Sequence, residues 1–101
     1  MILVEVRKSN DLRTIIIKGH AKYNESGKDI VCAAVSSTSI TTINAIYKFS
    51  NNYIDVNQNE GYLKIIQLIS NTICNNLLDN LIDSLKEIAN DYPKNITIKE
   101  E

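Results

Sequence analysis

Alternating apolar and polar positions at the start of the chain predict a β-hairpin. The segments Ile2–Arg7 and Leu12–Lys18 are rich in β-branched residues, and the residues between them, Ser9–Asp11, are types that favour a turn. In the second segment, Ile15–Ile17 place apolar side chains on both faces of a strand, because successive side chains alternate in direction. This strand is therefore predicted to lie in the interior of the sheet.

The same signal returns in the second half of the chain. Tyr53–Asn57 and Gly61–Ile69 are predicted to pair as a second hairpin around a turn at Gln58–Glu60. Near the end, Asn95–Lys99 alternates isoleucine with polar residues and is predicted to be a short final strand.

A long apolar segment, Ile30–Phe49, separates the two hairpins and contains neither proline nor glycine. Its many β-branched residues locally favour a strand. A single strand of about 20 residues would nevertheless be anomalous in so small a chain. The segment is therefore predicted to be a buried helix, stabilised by packing more than by helix propensity.

The clearest amphipathic helix follows the second hairpin. Its apolar residues recur at helical spacing and are Ile73, Cys74, Leu77, Leu78, Leu81, Ile82, Leu85, Ile88 and Ala89. Cys74 belongs to this apolar stripe and is predicted to be a small buried hydrophobic residue. Pro93 ends the helical region.

The predicted order is β-β-α-β-β-α-β, which indicates one α+β domain over residues 1–101. Hairpins interleaved with two helices predict a two-layer sandwich, with a mainly antiparallel sheet and both helices on one face. The other face of the sheet is then left to solvent or to a second copy. Apolar residues on both faces of Leu12–Lys18 and Tyr62–Ile69 favour a homodimer.

The amino-acid composition and net charge disfavour some classes of binding partner. Hydrophobic residues make up 44% of the 101 residues, which is enough for one modest core. Eleven basic and twelve acidic residues give a net charge of -1, which argues against binding nucleic acid or an anionic membrane through a broad positive field. The start of the chain lacks the pattern of a signal peptide, and no stretch approaches the roughly 20 apolar residues of a membrane span. We expect a cytoplasmic protein.

The soft metal ligands are few and scattered. Cys32 and Cys74 are the two cysteines, and His20 is the one histidine. A compact chain with a normal apolar fraction needs no disulfide, so both cysteines are expected to be free thiols in a reducing cytosol. Without a CxxC pair or a second histidine, we expect no metal site and no cofactor.

His20 and Cys32 flank a polar loop, Lys22–Lys28, and together they carry the candidate chemistry. His20 follows the second predicted strand, where a rigid scaffold delivers side chains to a cleft. If Asp29 caps the following helix, Cys32 falls in its first turn, where the helix dipole favours a thiolate. The free amides of that turn could stabilise an oxyanion, and His20 could act as general base.

Each of these residues also has a purely structural explanation. A cysteine in an apolar helix usually contributes to packing, and a histidine after a strand usually lies at the surface. Asp29 can cap a helix without any catalytic role. Residue type and spacing alone therefore leave both interpretations open.

The sequence GHA at residues 19–21, Gly27 and Lys28, and the unbroken run DIVCAAVS at residues 29–36 resemble the signature of the bacterial ribosomal-processing cysteine protease family Prp. The order of strands and helices is similar over essentially the whole chain. Beyond residue 37, only pattern and length agree.

The resemblance implies a specific activity. It implies that Cys32 is the nucleophile and His20 the base, while Gly19, Asp29 and Ser36 support the geometry or contact the substrate. It implies a homodimeric endopeptidase that removes a short N-terminal extension from a large-subunit ribosomal protein, cutting after paired aromatic residues. Two alternatives are a non-catalytic ribosome-associated module that holds a peptide in the same cleft, and a structural dimer without a peptide ligand.

Overall fold

A computed structural model describes residues 1–19 and 28–101, except for the side chains of Lys28 and Asp29. The elements occur in the predicted order β-β-α-β-β-α-β. Their bounds are β1 (Ile2–Ser9), β2 (Leu12–Lys18), α1 (Lys28–Tyr47), β3 (Ile54–Asn59), β4 (Tyr62–Gln67), α2 (Thr72–Asp91) and β5 (Ile96–Glu100).

The five strands form one mixed sheet in the order β3-β4-β2-β1-β5. All neighbouring strands are antiparallel except β5, which runs parallel to β1. The sheet is thus mainly antiparallel, as predicted. Strand β2 lies at its centre between β1 and β4, which confirms the position predicted from apolar residues on both of its faces.

The two hairpin turns differ in how closely they follow the prediction. In the first, Asn10 and Asp11 adopt positive φ angles of 53° and 60°, as a two-residue hairpin turn requires and as asparagine and aspartate tolerate. In the second, Asn59 pairs with Tyr62, so the turn lies one residue later than the predicted Gln58–Glu60. Gly61 lies in this turn with a φ of 69°, a left-handed conformation that glycine adopts without strain.

Both helices bury apolar residues in one core. Strand positions that face the helices include Val4, Ile15, Ile17 and Ile65. The helices contribute Val31, Val35, Ile43 and Ile46 from α1 and Cys74, Leu78, Leu81, Ile82 and Leu85 from α2. The helices also contact each other. This arrangement is the two-layer sandwich that the sequence predicted.

Helix α1 corrects one expectation about membranes. Residues Ile30–Tyr47 have a mean hydropathy of 1.4 and are long and apolar enough to cross a membrane by length and composition alone. The expectation that no stretch of the chain is long and apolar enough to span a membrane is therefore wrong for this segment. A core helix satisfies the same criterion, and α1 buries Val31, Val35 and Ile46 in the fold.

Candidate active site

A cleft of about 140 Å³ lies where the first half of α1 meets the end of β2 and the turn of the β3–β4 hairpin. Cys32, Ser36 and Ser39 line it from α1, and Gly19 lines it from the end of β2. Asn59 and Tyr62, on either side of the hairpin turn, complete the opposite wall. The cleft therefore joins segments that are far apart in sequence.

Cys32 is half-buried in this cleft. It shares one face of α1 with Ser36 and Ser39, because residues four and seven positions apart on a helix lie on the same side. Neither Cys32 nor Cys74 forms a disulfide.

The start of α1 differs from the predicted one. The helix begins at Lys28, so Asp29 is its second residue and not the capping residue before it, and Cys32 is its fifth residue and not part of the first turn. The amides that a helix leaves unpaired at its start thus lie about one turn before Cys32. Oxyanion stabilisation by these amides stays a prediction.

Gly19 fixes the end of β2 against two other segments. Its amide donates a hydrogen bond to the carbonyl oxygen of Gly61 at 2.9 Å. Its φ of +89° is disfavoured for other residues, and a Cβ atom at this position would collide with the backbone carbonyl oxygen of Met1. The motif therefore has glycine here for a backbone reason.

The cleft brings together three of the five predicted site residues, namely Gly19, Cys32 and Ser36. Asp29 is placed by its backbone in α1, but its side chain lies outside the described part of the chain. His20 also lies outside the described residues, as does the loop prediction for residues 22–27. The roles assigned to these residues remain predictions.

Sequence reasoning missed Ser39 and the contribution of the β3–β4 hairpin. Helical spacing from Cys32 and Ser36 could have indicated Ser39, because it occupies the same face one turn further on. Asn59 and Tyr62 carried no comparable signal, since only the pairing of β4 with β2 places their turn beside Gly19.

Cys74 has a different environment from that of Cys32. Its side chain is fully buried in the core, and burial raises the pKa of its thiol. The predicted role of Cys74 as a buried hydrophobic residue is therefore confirmed. Among the described side chains, those of residues 1–19 and 30–101, no group of three from His, Cys, Asp or Glu is placed to hold a metal ion.

Comparison with known proteins identifies related sequences over nearly the whole chain. The family model described as cysteine protease Prp matches residues 1–97. The ribosomal processing cysteine protease Prp of Mycoplasma genitalium is 37% identical over 91 residues, covering 86% of this chain and 87% of that protein. The protein of the same name from Staphylococcus aureus strain Mu50 is 30% identical, with 97% of each chain covered.

Solved structures agree with this assignment. The S. aureus ribosomal processing protease Prp with a covalently linked product peptide is 28% identical and superimposes with a TM-score of 0.88, covering all of both chains. The same protease with a substrate peptide is 27% identical, with a TM-score of 0.90 and the same coverage. The family model, the relatives and the shared fold together show that this chain belongs to the cysteine protease Prp family.

Proposed function

We propose that this protein is a cysteine endopeptidase in which Cys32 attacks a peptide carbonyl and His20 acts as general base. The observation that carries the proposal is that Cys32 and Gly19, the residue directly before His20, line the same cleft. A nucleophile on a rigid helix and a base delivered by the end of a central strand are the components that thiol proteolysis requires.

The proposed reaction has two stages. The Cys32 thiolate forms a bond to the scissile carbonyl carbon, and protonated His20 gives its proton to the departing amine. Neutral His20 then takes one proton from water, whose oxygen attacks the thioester and expels the Cys32 thiolate. The new carboxylic acid loses the second proton to solvent, and thiolate and protonated His20 are restored. In this scheme, the amides at the start of α1 stabilise the oxyanion, and Gly19, Asp29 and Ser36 maintain the geometry or contact the substrate.

We propose as substrate the N-terminal extension of a large-subunit ribosomal protein, cut after aromatic residues. Support comes from the relatives named as ribosomal processing proteases and from the S. aureus Prp that was solved with a substrate peptide. Ile40 and Leu63 add apolar surface to the cleft, which suits an aromatic side chain. We further propose that the protein acts in the cytoplasm as a homodimer.

The test is cleavage of a synthetic peptide that contains the extension and its junction with the mature protein. We expect wild type to cut at the junction and Cys32→Ala to lose roughly three orders of magnitude or more in rate. Cys74→Ala is the matched control and should retain activity per folded molecule, because Cys74 does not line the cleft. Binding without turnover by wild type would instead support the non-catalytic peptide-binding module.

A further inference from the structure

Ser39 carries a buried hydroxyl that differs from the other buried polar side chains. The buried polar residues of the described chain are Arg13, Ser39, Thr42 and Gln67. Arg13 and Gln67 hydrogen-bond to each other, and Thr42 donates to the carbonyl oxygen of Thr38 at 2.9 Å. Ser39 is fully buried, and its Oγ has no hydrogen-bond partner among the described residues. Such a group normally has a partner, so this one calls for an explanation.

The position of Ser39 indicates what that partner is. Ser39 lines the cleft and lies seven residues after Cys32 on the same face of α1. At about 1.5 Å per residue, the two are separated by roughly 10 Å along the helix axis. An extended peptide spans that distance with about three residues.

The unpaired hydroxyl of Ser39 makes the free protein less stable. An unpaired buried hydroxyl has lost its hydrogen bonds to water, and alanine has the higher helix propensity in a helix interior. A ligand that accepts a hydrogen bond in the cleft would recover this loss, because rotation about χ1 can turn Oγ toward it. Sites that sacrifice stability in this way are common where a protein binds its substrate.

We propose that Ser39 is a substrate-positioning residue whose hydroxyl donates a hydrogen bond to a backbone carbonyl oxygen of the bound peptide. The contact lies about three residues from the scissile bond. It fixes the register of the peptide along α1, and so determines which peptide bond meets Cys32. The inference rests on the proposed function, since it takes the peptide substrate as the occupant of the cleft.

Binding to an inactivated protein tests the contact separately from the chemistry. Fluorescence anisotropy of a fluorescein-labelled junction peptide would give its affinity for two proteins. One is the Cys32→Ala variant, and the other carries both Cys32→Ala and Ser39→Ala. Loss of one neutral hydrogen bond should weaken binding about 5- to 10-fold. Thr42→Val in the same background is the matched control, because it removes a buried hydroxyl of α1 that already has a partner; binding should not change.

Peptides shortened one residue at a time from either end locate the contact. The difference in affinity between the proteins with and without Ser39→Ala should disappear when the residue that accepts the hydrogen bond is removed. Ser39→Ala alone should melt at the same temperature as wild type or higher, whereas a hydroxyl with a structural partner would lower it. Equal affinity at every peptide length, or a lowered melting temperature, would overturn the proposal.

The outcomes also separate this inference from the proposed function. A wild type that leaves the peptide uncut, while Cys32→Ala binds it with the Ser39 dependence described, overturns the protease and supports the contact. Cleavage by wild type with no effect of Ser39→Ala on binding or on the bond that is cut overturns the contact alone. A peptide that is neither cut nor bound overturns both.

Discussion

Cys32 and Cys74 lie on different helices and in different surroundings. Cys32 is half-buried and lines the cleft, whereas Cys74 of α2 is fully buried and donates a long hydrogen bond of 4.0 Å to the carbonyl oxygen of Tyr53. A thiol reacts as its thiolate and must be reached by the reagent. At the residue scale, exposure and burial therefore separate a candidate nucleophile from a packing residue.

The first prediction concerns alkylation of these two thiols. Iodoacetamide near neutral pH should modify Cys32 well before Cys74, because burial both blocks Cys74 and raises the pKa of its thiol. Mass spectrometry of the single-cysteine variants Cys32→Ala and Cys74→Ala would give each rate. Equal rates, or faster modification of Cys74, would contradict the assignment of the reactive thiol.

The second prediction concerns Gly19. Gly19→Ala should lower the free energy of unfolding by about 1 to 3 kcal/mol, because it combines a disfavoured φ with a collision against the Met1 carbonyl oxygen. Urea unfolding would measure the loss. Gly61→Asn is the control and should cost less, since asparagine tolerates positive φ. A Gly19→Ala protein as stable as wild type would show that the backbone moves freely here.

At the scale of the elements, helix α2 is held by polar contacts at its start and against the sheet. Helix α2 begins at a side-chain cap, where Asn71 accepts a hydrogen bond from the amide of Cys74 at 2.8 Å. Buried Arg13 of β2 then joins the sheet to α2 through two hydrogen bonds to the carboxylate of Asp79, at 2.5 and 3.0 Å. Asp79 raises the pKa of Arg13 above its ordinary value, so the guanidinium stays charged.

The third prediction tests this junction. Arg13→Met should lower the free energy of unfolding by roughly 2 kcal/mol, because it removes the charged partner of Asp79 and the side-chain hydrogen bonds that Arg13 donates to Gln67 and Asn75. Thermal and urea unfolding would measure the effect. Arg7→Met is the matched control: the exposed ion pairs of Arg7 should be worth less than about 1 kcal/mol. Similar losses in both variants would contradict a structural role for the buried junction.

At the scale of the whole molecule, the sheet face turned away from the helices is not purely polar. Ile16 is buried on this face although α1 and α2 pack against the other one, and Leu3 and Ile66 are half-buried there. Lys18 and Glu5 form an ion pair beside them at 3.1 Å. An apolar centre with a charged margin suits contact with another protein surface.

The fourth prediction is that this face joins two copies of the chain. Light scattering coupled to size-exclusion chromatography should give the mass of a dimer for wild type and of a monomer for Ile66→Glu, because a buried charge would oppose association. Thr41→Glu, on the exposed side of α1, should remain dimeric. A monomeric wild type would overturn the homodimer, and loss of the dimer only in Thr41→Glu would move the interface to α1.

The pattern of apolar and polar residues was enough to predict the order of the elements, the central position of β2 and the buried role of Cys74. These features follow from short-range periodicity, because residues two, three or four positions apart share a face whatever the rest of the chain does. The motif around Cys32 also gave the family before any fold was known. The start of α1 and the turn at Gly61 were less well predicted, since local propensity only weakly defines element ends.

Contacts between residues that are distant in sequence depend on the packing of the whole fold. The pairing of β4 with β2 brings the turn at Gly61 beside Gly19, so that the hairpin lines the same cleft as Cys32. The partners of Arg13 and the unpaired hydroxyl of Ser39 likewise depend on packing between layers. No periodicity encodes such contacts, because they join residues tens of positions apart, and the hydrogen bonds they make or omit exist only once the core has formed.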